Sequence, residues 1–262
     1  MIISDGLRQE NEPTIIYSIC KMASQFGDDI NQLNDLMTDD NDGQKVYSKN
    51  FNFAKECGFI EVSGQRVSCL IPEEHLASYE EFINYISLNV FEKENNFTKL
   101  TRWFLKENIE ISQVSAEQLA ARCHDVVSVD QNYIRGWHWW MIAFGLGTVS
   151  AHINTGSRYI IFDCSNALKR FVKAEFKEGE VIKVRSFLTK LLAVKKEFVS
   201  SVDLNGNENQ ITTSISMGLR LLHNLKLVEL IYTPDSSDIW HLTESYAHKI
   251  KRDITEIKVL RG

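Results

Sequence analysis

Few residues in this sequence have types and spacings that could do covalent chemistry. Asp235 and the string Glu256-Ile257-Lys258 fit the loose Asp…Glu-x-Lys pattern of metal-assisted phosphodiester hydrolysis. That chemistry needs two carboxylates converging on a divalent cation and a lysine beside the attacking water. It therefore requires Asp235 and Glu256 on adjacent strands of one sheet. The local sequence predicts otherwise: Pro234-Asp235 reads as a hairpin tip, and a helical stretch over 245–251 separates the two carboxylates. Cys123-His124 is an adjacent pair of metal-ligand types, but no second pair lies at ligand spacing. The five cysteines are odd in number and widely spaced, without Cys-x-x-Cys. This predicts buried thiols rather than a zinc site or a disulfide framework. Gly145-Leu146-Gly147 lacks the third glycine and the preceding strand that dinucleotide binding needs, and reads as a helix terminator. Phosphate-loop, His-Glu-x-x-His and Gly-x-Ser-x-Gly motifs are absent from the sequence. The expectation is a protein without enzymatic activity, cofactor, metal or small-molecule substrate.

Recognition chemistry is better represented. Lys45, Ser48, Lys49 and Asn52 are spaced to share one helical face. Gln131, Asn132 and Arg135 stand at the start of another helix. Asn and Gln are suited to adenine edges and Arg to guanine or phosphate. Arg158 begins a strand from which it would reach a minor groove or a phosphate. Lys183, Arg185, Lys190, Lys195 and Lys196 form the densest basic run, and Lys249, Lys251 and Arg252 a second one. In Trp137-His138-Trp139-Trp140, helical spacing puts Trp137, Trp140 and Met141 on one face as core anchors. Trp139 is turned elsewhere and is the candidate for contact with a partner protein.

Charge constrains these candidates. The net charge is −6, with Lys/Arg 29 against Asp/Glu 35. Residues 1–80 carry 6 basic and 14 acidic side chains, 81–177 carry 11 and 10, and 178–262 carry 12 and 11. Phosphate contacts supply most of the affinity of a nonspecific DNA binder, so a basic surplus is the usual signature. None is present, and the acidic first third is expected to add little to nucleic-acid affinity. The apolar stretch around 137–149 is short and interrupted by His138, Gly145 and Gly147, so no membrane span is expected. The opening Met1-Ile2-Ile3-Ser4-Asp5 has no basic start followed by an apolar run, so no signal peptide is expected, and the expected location is the cytoplasm.

These residues must be held by a mainly α fold with small β-hairpins. In residues 1–72, Pro13 opens a helix at its first turn. Ile15, Ile16, Ile19, Met22, Ala23 and Phe26 recur at helical spacing. A shorter helix carries Ile30, Leu33, Leu36 and Met37, and a polar turn over 38–43 leads to a third with Val46, Tyr47, Phe51, Ala54 and Cys57 inward. Gly58 ends the third helix, and a hairpin follows through 59–71. Residues 73–97 form a helical connector. In 98–177, a helix with Leu100, Trp103, Phe104 and Leu105 comes first. A capping box at Ser115…Gln118 then opens a second, and a long helix from Gln131 precedes a hairpin whose turn is Thr155-Gly156-Ser157. In 178–262, helices over 181–198 and 211–224 flank a loop at Asn205-Gly206-Asn207 and lead to a hairpin pairing 226–233 with 237–242.

Three helices followed by a two-stranded wing resemble the winged-helix superfamily, and Ala54-Lys55-Glu56-Cys57-Gly58-Phe59-Ile60 is similar to the end of its third helix. The resemblance implies two or three tandem winged-helix-like modules joined by helices. The stacked wings and near-neutral charge also resemble accessory subunits of prokaryotic anti-phage defence and mobile-element systems. The expected function is a non-enzymatic DNA-binding or adaptor subunit of a larger assembly, partnered by other protein subunits and double-stranded DNA. The alternatives are a protein-interaction scaffold that binds no nucleic acid, and a metal-dependent nuclease of the Asp…Glu-x-Lys type.

Overall fold

A computed structural model describes the chain except at residues 28, 39–40, 108–113, 152–157, 205–207, 245–251 and 261–262. The fold is mainly α, with small antiparallel strand groups. The chain divides into two compact units. Unit 1 is Met1–Lys99 with Ala116–Ala143, and unit 2 is Leu100–Ser115 with Phe144–Gly262.

Unit 1 contains α1 (Pro13–Phe26), α2 (Ile30–Met37), α3 (Asn41–Glu56), β1 (Ile60–Ser63), β2 (Arg66–Cys69), a 3-10 turn at Glu73–Leu76 and α4 (Tyr79–Val90). It also takes the start of α5 (Asn96–Lys106), then α6 (Ala116–Arg122) and α7 (Gln131–Ala143). Pro13 stands in the first turn of α1, where its missing N–H costs no hydrogen bond. Gly58 follows α3 with φ of 71°, a left-handed conformation open to glycine. There the Phe59 N–H donates to the Ala54 carbonyl, turning the chain into β1. β1 and β2 pair antiparallel from Ile60↔Cys69 to Ser63↔Arg66. The core closes on α7, whose Trp137, Trp140, Met141 and Ile134 are all fully buried. The Trp140 ring lies 6.4 Å from Phe53 and 6.2 Å from Phe59, which joins α7 to α3 and the hairpin.

Unit 2 holds β3 (Gly147–Ala151), β4 (Arg158–Phe162), α8 (Ser165–Glu175), β5 (Val181–Lys183), α9 (Val184–Val194) and a 3-10 turn at Lys196–Phe198. α10 (Thr213–Asn224), β6 (Val228–Ile231), β7 (Trp240–His241), β8 (Asp253–Ile254) and β9 (Glu256–Val259) complete it. α8 packs on α10, and Phe171, Phe176 and Phe187 form a ring cluster with centroids 5.4–5.6 Å apart. Phe104, from the unit-2 part of α5, lies 4.4 Å from Phe162.

Three sequence expectations change. The range 98–177 is divided: α6 and α7 belong to unit 1, whereas β3, β4 and α8 belong to unit 2. α7 packs with α6 and α1. The hairpin expected between 226–233 and 237–242 does not form. β6 pairs with β9 in a three-stranded sheet ordered β5-β9-β6, and β7 pairs with β8. The long helix expected over 181–198 begins as β5, because alternating Val181-Ile182-Lys183 adds to the edge of β9. The expected turn at Thr155-Gly156-Ser157, the loop at Asn205-Gly206-Asn207 and the helix over 245–251 lie outside the described residues, as does part of the turn over 38–43.

Candidate interaction groove

α7 starts at Asp130, whose carboxylate accepts a hydrogen bond from the Tyr133 N–H at 2.8 Å. This is N-cap geometry. Tyr133, Ile134 and Trp137 are buried, so Gln131 and Arg135 are left exposed and Asn132 half-exposed. The Arg135 guanidinium reaches three neutral oxygens at 3.4–3.5 Å, those of Gln9, Asn132 and Gln131. These are long, weak contacts.

On α3, Lys45, Ser48, Lys49 and Asn52 are exposed on one face, as their spacing predicts. Lys49 Nζ pairs with Glu10 Oε1 at 2.7 Å. The hydrogen bond from Lys49 holds the Glu10 carboxyl below its ordinary range. Beneath the pair, fully buried Asn50 fastens the N-terminal segment to α3. Its Nδ2 donates to the Glu10 and Val46 carbonyls at 2.9 Å, and its Oδ1 accepts from the Glu12 N–H at 3.2 Å.

That segment is what brings the two helices together. Ile3 and Leu7 are fully buried. Trp140 Nε1 donates to the Asn11 carbonyl at 3.2 Å. Gly136 lets the backbone pass over α7, since a Cβ there would lie only 2.4 Å from the Arg8 carbonyl oxygen. The result is a cavity of about 280 Å³ lined by Arg8, Gln9 and Glu10 from the segment, Lys49, Asn52 and Glu56 from α3, and Asn132 from α7. Arg8 also lines an adjoining cavity of about 370 Å³ with Asp5, Asn96, Asp130 and Tyr133. Lys49 also lines a surface depression with Gln44, Lys45 and Ser48. The groove therefore unites candidates that the sequence assigns to two separate modules. Its contributors Arg8, Gln9 and Glu10 were not among the expected residues. The i, i+4 pair Ile3 and Leu7, flanking polar residues, is the sequence signal for that segment.

Charge in the groove is balanced, with Arg8 and Lys49 against Glu10 and Glu56. Unit 1 as a whole carries 10 Lys/Arg and 20 Asp/Glu, and unit 2 carries 19 and 15. Under the groove, the Tyr133 hydroxyl and His138 Nε2 are buried without hydrogen-bond partners. Burial raises the Tyr133 pKa and, with Arg135 nearby, lowers that of His138 to about 4.

The remaining candidates are dispersed. Lys195 is 6% exposed, which removes it as a surface contact. It stands within electrostatic reach of the buried carboxylate of Glu197, with Arg170 and Arg102 also acting on that carboxylate. Lys196 is half-buried, and its carbonyl accepts from Arg102 Nε at 3.1 Å. Arg185 pairs with Asp238 at 3.1 Å and Lys190 with Glu175 at 3.0 Å, so most of the basic run neutralises nearby acids. Arg252 lies 3.5 Å from Glu244. Lys249 and Lys251 are outside the described residues, and Arg158 is described only as the first residue of β4. Trp139 is half-buried and has an interaction within the fold. Asp235 lies in the turn after β6 and not on a strand beside β9, so the Asp…Glu-x-Lys string lacks the arrangement it requires. Among the described residues, no group of three His, Cys, Asp or Glu side chains is placed to hold a metal ion, and no helix is long and apolar enough to cross a membrane. Comparison with family models, curated proteins and solved structures yields no match.

Proposed function

We propose that the protein is a non-enzymatic adaptor subunit of a larger assembly, and that unit 1 docks a protein partner through the groove between α3, the N-terminal segment and α7. The observation that carries this reading is the meeting of Lys49, Asn52 and Asn132 in one cavity with Arg8, Gln9 and Glu10. Such a surface offers donors and acceptors in both directions, as the polar parts of protein interfaces do. Its balanced charge, in a unit with twice as many acids as bases, favours a protein partner over a phosphate backbone. The order α1-α2-α3-β1-β2 supports a winged-helix-like reading of residues 13–72, here used as an adaptor.

Double-stranded DNA is the second reading. It is favoured by Gln131 and Arg135, exposed at the N-terminal end of α7 with no carboxylate paired to Arg135 among the described residues. A fluorescence-anisotropy titration of duplex DNA across a salt series separates the two. The adaptor reading expects binding weaker than about 10 μM at physiological salt, in the nonspecific range, and unchanged by Arg135→Ala. Submicromolar binding that Arg135→Ala weakens by tenfold or more, about 1.4 kcal/mol, establishes the DNA reading instead.

A further inference from the structure

We propose, on the reading of unit 1 as a docking unit, that its groove receives an acidic segment of the partner protein and that Arg8 and Arg135 bind the side-chain carboxylates of that segment. The charges around the groove balance in number, but they are not equally engaged. Glu10 is taken by Lys49 at 2.7 Å. Glu56, beside Gly6, accepts the Ser4 hydroxyl at 2.8 Å. In the adjoining cavity, Asp5 accepts the Asn96 N–H at 3.3 Å and Asp130 the Tyr133 N–H at 2.8 Å. The two arginines are not matched in this way. Arg8 Nη1 donates to the Leu7 carbonyl at 2.8 Å, and Arg135 reaches the neutral oxygens of Gln9, Asn132 and Gln131. Neither guanidinium pairs with a carboxylate among the described residues, in a unit with twice as many acids as bases.

The fold places both arginines at the cavity. The Arg8 carbonyl lies over Gly136, the residue that follows Arg135. Gln9 and Asn132, which line the cavity with Arg8, supply two of the oxygens that Arg135 reaches. Amides add neutral donors. Asn11 is 4% exposed and lines the same cavity. Its Oδ1 accepts the Arg8 N–H at 2.7 Å, and its Nδ2 donates to no acceptor among the described residues. The side chain of exposed Asn52, also lining the cavity, makes no hydrogen bond among the described residues. A guanidinium offers two parallel N–H groups to a carboxylate, and amide N–H groups can fill its remaining lone pairs. A short acidic segment meets the two arginines without laying a continuous row of phosphates against the other acids of unit 1, as a duplex would.

The test selects binders to the full-length protein from a phage-displayed library of random dodecapeptides. Groove-dependent binders are those lost on Asn52→Tyr, which adds bulk to the groove without changing its charge. They should be enriched in Asp and Glu over the unselected library. As synthetic peptides they should lose affinity by about tenfold or more on the double variant Arg8→Gln/Arg135→Gln, and weaken as salt is raised. Both arginines are exposed, so the double variant should keep the circular dichroism and melting curve of the parent. Groove-dependent binders without acidic enrichment, or binders that hold equally to the double variant, overturn the proposal and leave the adaptor reading standing. The absence of any groove-dependent binder overturns both. A short DNA duplex that displaces the selected peptides, and is itself lost on the double variant, assigns the two arginines to phosphates and overturns the proposal in favour of the DNA reading.

Discussion

His138 is buried beside Trp137, with Nε2 unpartnered and a pKa lowered to about 4 by burial. The folded chain therefore refuses a proton that the unfolded chain accepts below its ordinary value of 6.5. The sign follows from linkage: stability is unaffected by this group above pH 6.5 and falls as pH drops toward 4, by up to ~3 kcal/mol. His138→Leu should flatten urea-denaturation stability between those pH values, and an unchanged slope refutes the assignment. Lys195 and Lys196 give a second contrast. Lys195 is buried with Glu197, so Lys195→Met leaves a buried carboxylate less compensated and should cost at least about 2 kcal/mol in chemical denaturation. Lys196→Met should stay within about 0.5 kcal/mol. Equal costs contradict the burial of Lys195. From the sequence these two lysines look alike. Only the 3-10 turn after α9 separates the inward side chain from the half-exposed one, and nothing in their spacing announces that turn.

At the level of elements, α7 and the N-terminal segment depend on each other through Gly136. Gly136→Ala would bring a methyl group to 2.4 Å from the Arg8 carbonyl oxygen, and the obstacle is backbone. The segment must then shift, at a cost of about 1–3 kcal/mol. Thermal denaturation should show the loss, and limited proteolysis should show faster cleavage within residues 1–12. A neutral substitution refutes this packing. α1, α3, the β1–β2 hairpin and the inward face of α7 were legible, because apolar spacing and Gly58 specify them locally. The sheet β5-β9-β6 was not. β9 lies far from both its neighbours in sequence, while the nearer 237–242 offered a plausible local hairpin.

Over the whole chain, the division into units reorganises what linear reading suggests. Residues 98–177 read as one module from local order, yet the packing of Trp137 and Trp140 assigns α6 and α7 to the acidic unit 1. Removing residues 1–72 would strip Trp140 of Phe53, Phe59 and Asn11, so it cannot serve as a clean deletion of one module. The same packing places Lys49, Asn52 and Asn132 in one groove, a convergence invisible from positions eighty residues apart. The most direct measurement of that groove's role places a photo-crosslinking amino acid at Gln9, Asn52 or Asn132, with a control at exposed Glu229 on β6, in cells producing the full chain. The groove positions should yield the same protein adduct, absent from the control and resistant to nuclease. A nuclease-sensitive adduct, or equal capture at Glu229, contradicts the assignment of this groove to a protein partner.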